Sequence, residues 1–227
     1  MSASRPFDLV LFDLDGTLAD TALDIAHALN VTLVEAGLPP HPIDTVVSYV
    51  GDGAAKLIER AVPPSEKGRD LVGLLRRFVV HYEARPCVDS HLYPGVAGLL
   101  ADLTNAGIET AVLTNKPGPL ARQVVATLLP AARFAAVVGD HDGFPRKPDP
   151  SAAHALIERR GATLERTVVV GDGIPDVQLA HALPVRVVAV AWGYSQRARL
   201  SAERPTWIAE TPADARKLLL PDVAAGN

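Results

Sequence analysis

Short, uninterrupted apolar runs are the main feature of this chain, and segments with helical periodicity separate the later runs. Strands that are buried on both faces are nearly all apolar, so this pattern predicts a parallel sheet covered by helices on both sides. The predicted fold class is therefore α/β, with a doubly wound, Rossmann-like parallel sheet that binds ligands beyond the carboxyl ends of its strands. The predicted strands are residues 9–12, 108–113, 134–138, 167–170 and 186–191, and the predicted helices are residues 95–106, 119–129, 150–160 and 175–183.

One connection does not fit this alternation, because most of the chain between the first two predicted strands has a helical pattern. An apolar stripe at helical spacing follows Thr21, which forms a predicted capping box with Asp24, and the stripe ends at Gly37. We therefore expect an all-helical cap, residues 19–91, inserted into an α/β core made of residues 1–18 and 92–227. Further helices of the cap are predicted at about residues 43–49, 52–61 and 66–83.

Composition restricts the possible partners. The chain has 227 residues with 22 Lys and Arg against 26 Asp and Glu, so its formal charge of −4 offers no basic surface for nucleic acid or an anionic membrane. Cys87 is the only cysteine, which excludes an internal disulfide and a multi-cysteine zinc site. No apolar stretch is long enough to span a membrane. We expect a cytoplasmic protein, and the sequence leaves both a monomer and a homodimer open.

Two acidic residues follow the first predicted strand. Asp13 and Asp15 lie two positions apart and precede Gly16. One interpretation is a hairpin turn, which an Asp-Gly pair favours, but a helix rather than a partner strand follows. If the chain turns sharply at Gly16 instead, both carboxylates face one cleft, where they repel each other unless a cation lies between them or one is protonated. This arrangement favours a metal site.

The later strand ends carry further polar residues, each with an ordinary structural alternative. Thr114 precedes a helix, where it is either an N-cap or part of an anion-binding site formed with backbone N–H groups. Lys147 has no capping role, so it is either a solvated surface residue or a functional cation. Asp172 ends the fourth predicted strand, and Asp176 follows it near a helix start that also favours an acid.

Together these residues resemble the four motifs of the haloacid dehalogenase-like hydrolase superfamily. The inserted helices correspond to that family's first type of cap. The resemblance implies that Asp13 attacks a phosphate ester and forms an aspartyl phosphate, which water then hydrolyses. It also implies that Asp15 is the general acid and base, while Thr114 and Lys147 hold the phosphoryl oxygens. The motifs, in chain order, are Asp13-Leu14-Asp15-Gly16-Thr17, then Thr114, Lys147 and Gly171-Asp172 followed by Asp176.

The resemblance further implies Mg²⁺ as the cofactor. Its expected ligands are Asp13, the backbone carbonyl of Asp15 and Asp172, with Asp176 in the outer coordination shell and water molecules completing an octahedron. Asp15 also limits the possible reaction types. Dehalogenases of the superfamily lack an acid two positions after the nucleophile, and the phosphonate hydrolases of the superfamily have a small residue at that position. We therefore expect phosphate ester chemistry.

The predicted cap is similar to that of phosphoglycolate phosphatases. The similarity implies that the substrate is a small phosphorylated metabolite, 2-phosphoglycolate, and that Thr17, Gly53 and Asn115 contact it. Two departures are Gly173, where those enzymes usually have Ser, and Pro175 before the second acid. The similar segments are residues 49–61, Tyr93-Pro94-Gly95-Val96, Thr114-Asn115-Lys116-Pro117 and Trp192-Gly193-Tyr194.

The carboxylate of such a substrate needs a cation. Lys56 and Arg60 lie four positions apart on one predicted helix face and could supply it. The alternative is a pair of surface cations that bind Glu59 or Asp52. Related families with this cap type include sugar-phosphate and nucleotide phosphatases, pyrophosphatases and a β-phosphoglucomutase, and all stay open. A catalytically silent phosphate-binding protein is disfavoured, because the nucleophile, the acid and the lysine are all present.

Overall fold

The computed structural model describes residues 5–66 and 68–220 as an α/β protein. Residues 1–4 and 221–227 of the expected core and residue 67 of the expected cap lie outside the described residues. The strands are β1 (Leu9–Phe12), β2 (Ala19–Asp20), β3 (His91–Leu92), β4 (Glu109–Pro117), β5 (Phe134–Asp140), β6 (Thr167–Gly171), β7 (Arg186–Val190) and β8 (Trp207–Ala209). The helices are α1 (Ala22–Glu35), α2 (Ile43–Val47), α3 (Ala54–Ala61), α4 (Leu71–Ala84), α5 (Val96–Asn105), α6 (Gly118–Leu128), α7 (Ser151–Arg160), α8 (Ile174–Ala182), α9 (Arg197–Ala202) and α10 (Pro212–Leu219).

Six strands form one sheet in the order β5-β4-β1-β6-β7-β8, and every neighbouring pair is parallel. This confirms the predicted fold class. Every residue of β1 and of β6 is buried, because helices cover both faces of the sheet. Phe12 at the end of β1 pairs in register with Val112 and Val170, so the ends of β1, β4 and β6 meet at one edge.

Alternate side chains along the central strands enter two separate apolar layers. Val10 and Phe12 of β1 pack on one face, in a cluster with side chains of α5, α6 and α10. Leu9 and Leu11 of the same strand pack on the other face, against side chains of α7 and α8. Asp13, the next residue after Phe12, therefore lies on a strand end that is held rigidly on both faces.

The helices α1–α4 form a third apolar cluster above the carboxyl edge of the sheet. Leu29 and Leu33 of α1 and Phe78 of α4 are fully buried within it. The chain enters and leaves this lobe through the short antiparallel pair β2–β3, where Ala19 opposes Leu92. We propose that the lobe is a separate cap with the boundaries expected from the sequence, residues 19–91.

The predicted capping box at the start of α1 is wrong. Thr21 precedes the helix, but its hydroxyl donates to Asp15 Oδ1 at 2.6 Å and makes no capping bond. Asp24 is also occupied elsewhere, because its carboxylate accepts hydrogen bonds from the N–H and hydroxyl groups of Ser90 beside β3. Asp20 instead accepts from the Ala22 N–H at 3.1 Å.

Among residues 5–66 and 68–220, no helix combines the length and the apolar character that crossing a membrane requires.

Candidate active site

The chain reverses immediately after β1. Gly16 has a φ of 85°, a conformation that favours glycine, and the next three N–H groups donate to the Leu14 carbonyl at 3.0 to 3.3 Å. A Cβ atom on Gly16 would lie 2.3 Å from Asp172 Oδ2, so this turn packs directly against the end of β6. The hairpin interpretation is wrong, and Asp13 and Asp15 both line a cavity between the sheet edge and the cap.

A buried ammonium group lies beside the first acid. Lys147 Nζ is 2.7 Å from Asp13 Oδ1 and 2.7 Å from Asp176 Oδ1, and only 3% of the lysine side chain is exposed. Burial disfavours its charged form, but the carboxylates of Asp13 and Asp176 outweigh that effect and raise the pKa of Lys147 above its usual value. The surface-residue interpretation of Lys147 is therefore wrong.

Three buried carboxylates converge at this point. Asp13, Asp172 and Asp176 each offer an oxygen, and these oxygens lie within 4.8 Å of one another. Burial and the charges of Asp13 and Asp176 raise the pKa of Asp172 to about 8. Burial also raises the pKa of Asp176 to about 6, although Lys147 opposes the shift. One lysine does not offset this concentration of negative charge.

These residues fit a divalent cation. Asp13 Oδ1 is buried and lacks a hydrogen bond of normal geometry, despite the close Lys147 ammonium group. An oxygen-only ligand set of clustered carboxylates suits Mg²⁺ and not a soft metal. Asp176 is already bound by Lys147 and by the Gly173 N–H at 3.0 Å, so Asp13 and Asp172 are the better candidates for direct ligands.

Other residues fix the orientation of Asp172. The Thr17 hydroxyl donates to Asp172 Oδ1 at 3.1 Å and accepts from the Asp172 N–H at 3.0 Å. The Tyr194 N–H donates to Asp172 Oδ2 at 2.7 Å. Thr17 is buried and does not line the cavity, so the structure gives it a positioning contact with Asp172 instead of the expected substrate contact.

Two neighbouring side chains hold Asp15 through three contacts. Oδ1 accepts from the Thr21 hydroxyl at 2.6 Å and from Lys116 Nζ at 2.9 Å, and Oδ2 lies 3.2 Å from the same ammonium group. Lys116 also donates to the Tyr82 hydroxyl at 2.5 Å. Because Tyr82 belongs to α4, this network joins the expected acid and base of the core to the cap.

Thr114 and Asn115 are buried near the end of β4, and both line the cavity. The Thr114 hydroxyl accepts from the Lys116 N–H at 3.2 Å, so it is not the N-cap of α6, which begins at Gly118. Asn115 Oδ1 accepts from the Lys147 N–H at 2.8 Å, while its Nδ2 donates to the Gly51 carbonyl at 3.1 Å. Asn115 thus connects the backbone of Lys147 to the cap loop, which is the connection between α2 and α3 (residues 48–53).

The cap supplies most of the apolar part of the cavity wall, and Gly53 of the cap loop also faces the cavity. A Cβ atom on Gly53 would lie 2.6 Å from Arg146 Nη1 and 3.2 Å from the Asn115 carbonyl, so this loop approaches the core closely. The cavity measures about 50 Å³. Its apolar lining consists of Ile25, Val50, Ala54, Leu57, Phe78 and Pro117.

The structure does not bring Lys56 and Arg60 to this cavity. Lys56 Nζ is 2.7 Å from Glu59 Oε2, and half of its side chain is exposed. Arg60 donates to the Tyr49 carbonyl at 3.0 Å and pairs with Asp52. The surface-cation alternative describes both residues, because the two helix positions share a face that points away from the cavity lining.

The family model of the haloacid dehalogenase-like hydrolases matches residues 10–190. This range contains all four motif positions. The chain belongs to this family.

The hydrolase is also 38% identical over 231 residues to a phosphoglycolate phosphatase of Agrobacterium fabrum, with 98% of this chain and 99% of that protein covered. It is 38% identical over 194 residues to a phosphoglycolate phosphatase of Rhodospirillum rubrum, covering 82% and 80% of the two chains.

Solved structures support the same fold for the hydrolase. A crystal structure from Haemophilus somnus, described as a "predicted phosphoglycolate phosphatase", superposes with a TM-score of 0.86 at 28% identity and covers 95% of this chain and 99% of that chain. A haloacid dehalogenase-like family protein from Streptococcus pneumoniae superposes with a TM-score of 0.83 at 22% identity, over 92% and 97% of the two chains. The second likeness concerns the fold alone.

Sequence reasoning missed two residues of the hydrolase's cavity, Lys116 and Tyr82. Lys116 belongs to the segment that looks like a phosphatase motif, but nothing in the sequence indicates that its ammonium group turns toward Asp15. Tyr82 occupies an ordinary buried position of a cap helix. Its hydroxyl reaches the site only because α4 packs above the end of β4.

Proposed function

We propose that this hydrolase is a magnesium-dependent phosphatase that hydrolyses a small phosphate monoester through an aspartyl phosphate, and that the ester is 2-phosphoglycolate. The observation that carries the proposal is the convergence of Asp13, Asp15 and Lys147 at one edge of the sheet. A nucleophile, a proton carrier and a buried cation there meet the needs of phosphoryl transfer.

The reaction has two steps in this proposal. An oxygen of Asp13 attacks phosphorus, the bond from phosphorus to the ester oxygen breaks, and Asp15 gives a proton to the departing alcohol. Asp15 then takes a proton from a water molecule that attacks the phosphorus of the aspartyl phosphate, which releases inorganic phosphate and restores Asp13. Thr114 and Lys147 hold the phosphoryl oxygens throughout.

Mg²⁺ would be held by Asp13 and Asp172, with the Asp15 carbonyl and Asp176 close by, and would supply positive charge to the phosphoryl group when bound. The proposed role of Asp172 and its neighbours is to hold this site in place. Thr17 and the Tyr194 N–H do so by orienting both oxygens of Asp172.

Two observations support 2-phosphoglycolate over larger esters. Relatives that are 38% identical over most of the chain are phosphoglycolate phosphatases. A mutase would also need a cation of the cap for a second phosphate, and among the residues that the structure describes neither an arginine nor a lysine of the cap lines the cavity.

The test is a comparison of kcat/KM values for phosphate esters in the presence of Mg²⁺. The panel contains 2-phosphoglycolate, a hexose phosphate, a nucleoside monophosphate, pyrophosphate and an aryl phosphate. We expect 2-phosphoglycolate to exceed the others by at least about tenfold, which corresponds to about 1.4 kcal/mol of transition-state binding. A flat profile, or a preference for a sugar phosphate, would contradict the choice of substrate.

The matched control is Asp13→Asn, which keeps the size of the side chain and removes its nucleophilicity. We expect this variant to fold with an unchanged circular dichroism spectrum and to hydrolyse no ester above the rate of the Mg²⁺ buffer alone. Turnover at the wild-type rate would overturn the role of Asp13, whatever the substrate profile.

A further inference from the structure

The active-site cavity contains a buried ammonium group that the proposed reaction does not use. Only 2% of the Lys116 side chain is exposed, and its Nζ atom contacts both Asp15 oxygens and the Tyr82 hydroxyl. The Nζ atom also lies 4.2 Å from the centre of the Tyr82 ring. A lysine is costly to bury, so a position on the cavity wall requires a reason beyond packing.

Other cations near the cavity are engaged elsewhere. Lys56 and Arg60 pair with acids on the exposed face of the cap. Arg146 donates to the Asp52 carbonyl at 3.1 Å and lies 3.8 Å from Asp140. Of the described residues that line the cavity, Lys116 is the one that carries a positive charge.

The place of Lys116 matches the shape of a phosphorylated 2-hydroxy acid. In 2-phosphoglycolate one methylene group separates the carboxylate from the ester oxygen. Asp15 must approach that ester oxygen to protonate it, and Lys116 Nζ lies 2.9 Å from Asp15 Oδ1. A carboxylate one carbon away from the leaving oxygen therefore falls beside the Lys116 ammonium group when the phosphoryl group faces Asp13.

Tyr82 completes the site from the cap side. Burial and the nearby charges of Asp15 and Asp24 raise its pKa well above the usual value, so the phenol keeps its proton and stays a hydrogen-bond donor. A carboxylate that bridges an ammonium group and a phenol receives two strong hydrogen bonds. Because Lys116 belongs to the core and Tyr82 to α4, such an anion would contact both parts of the molecule.

We propose that Lys116 and Tyr82 form the binding site for the substrate carboxylate and thereby select phosphorylated carboxylic acids. This inference rests on the proposed function. In the structure Lys116 is bound to Asp15, so an incoming carboxylate would share the ammonium group and leave an oxygen of Asp15 available for the leaving group. Selectivity should therefore appear in kcat as well as in KM.

The experiment compares two esters of the same chain length, 2-phosphoglycolate and 2-hydroxyethyl phosphate, in which a neutral CH2OH group replaces the carboxylate. The measured quantity is the ratio of their kcat/KM values in wild type, Lys116→Met, Tyr82→Phe and Arg146→Met. We expect a ratio above about 10 in wild type, a drop of roughly 10- to 100-fold in Lys116→Met, and a smaller drop of a few-fold in Tyr82→Phe. The control variant is Lys56→Met, on the exposed face of the cap, and it should keep the wild-type ratio.

The outcomes separate this inference from the proposed function. If wild type prefers 2-phosphoglycolate and Lys116→Met slows both esters equally, the carboxylate site is wrong and the proposed function stands. A collapse of the ratio in Arg146→Met but not in Lys116→Met also overturns it. If wild type shows no preference, the carboxylate site and the choice of 2-phosphoglycolate as substrate are both wrong, whereas the phosphatase reaction is tested separately by Asp13→Asn. Should Lys116→Met fail to fold, Tyr82→Phe decides, since an unchanged ratio there contradicts the paired site.

Discussion

Individual side chains of the site are positioned by neighbouring groups that take no part in the proposed reaction. Asp172 is an example, because a hydroxyl and a backbone N–H occupy its two oxygens. Each of these bonds restricts the direction in which the carboxylate can offer its remaining lone pairs. The Thr17 hydroxyl is the one of the two that a substitution can remove without changing the backbone.

Thr17→Val tests this positioning contact. Valine keeps the shape of threonine but cannot bond to the Asp172 carboxylate or to its N–H. Loss of such a supporting contact typically weakens metal binding by about 10- to 100-fold. We expect the Mg²⁺ concentration for half-maximal activity to rise by that factor, whereas Thr17→Ser should restore the wild-type value. An unchanged Mg²⁺ dependence in Thr17→Val would show that Thr17 is merely a packing residue.

At the scale of helices and strands, the apolar pattern predicts the strands that form apolar runs of four residues or more, the edge strand β5 included, and misses the shorter strands. β1 and β6 were predictable because every residue of both is buried. β8 was missed, since Trp207 and Ile208 are only half-buried and three residues make too short an apolar run. Helical spacing correctly places Lys56 and Arg60 on one face of α3 but cannot indicate which way that face points.

The candidate site could likewise be predicted only in part. The ends of the predicted strands indicated that Asp13, Thr114 and Asp172 meet, because parallel strands end at a common edge. The contact of Lys116 with Tyr82 joins two residues that are far apart in sequence through the packing of a cap helix on the core. No local pattern contains that information, so this half of the cavity required the structure.

The turn after β1 is the element on which the metal site most directly depends. Gly16→Ala introduces a Cβ atom 2.3 Å from Asp172 Oδ2 into a backbone with a φ of 85°. Gly37→Ala is a matched control, because Gly37 has a φ of 72° but nothing within 4 Å of the added atom. We expect each variant to lose about 1–2 kcal/mol of unfolding free energy from backbone strain.

Only Gly16→Ala should also lose phosphatase activity and Mg²⁺ affinity, because only there does the new atom displace a carboxylate. Thermal unfolding and Mg²⁺-dependent kinetics measure the two effects separately. Equal activity losses in the two variants would contradict the direct contact between this turn and Asp172.

For the whole molecule, the acid cluster links stability to pH and to the metal. When the pKa of a carboxyl group is higher in the folded protein than in the unfolded chain, there is a pH interval between the two pKa values. Within this interval the folded protein keeps a proton that the unfolded chain has lost. For Asp172 this interval runs from 3.8 to about 8. The free energy of unfolding therefore falls as pH rises through it, by up to about 1.4 kcal/mol per pH unit for each proton.

We expect the melting temperature of the protein in EDTA to fall between pH 5.5 and 8. The slope should be shallower in Asp172→Asn, which cannot ionise. Mg²⁺ should raise the melting temperature of wild type more at pH 8 than at pH 5.5, because it binds the ionised cluster. A melting temperature that rises over this interval in EDTA, or an identical slope in Asp172→Asn, would contradict this picture of the cluster.

The short ladder β2–β3 has a consequence for how such a protein can change over time. Its strands are the points where the chain leaves the sheet and returns, and Ala19 and Leu92 are paired neighbours across it. A segment whose two ends lie side by side can be exchanged for one of different length without altering the order of strands beneath it. The phosphate chemistry of the core can therefore be inherited with a different cap, but the proposed choice of a carboxylate is kept only by a cap that again places a hydrogen-bonding group beside Lys116, as Tyr82 does.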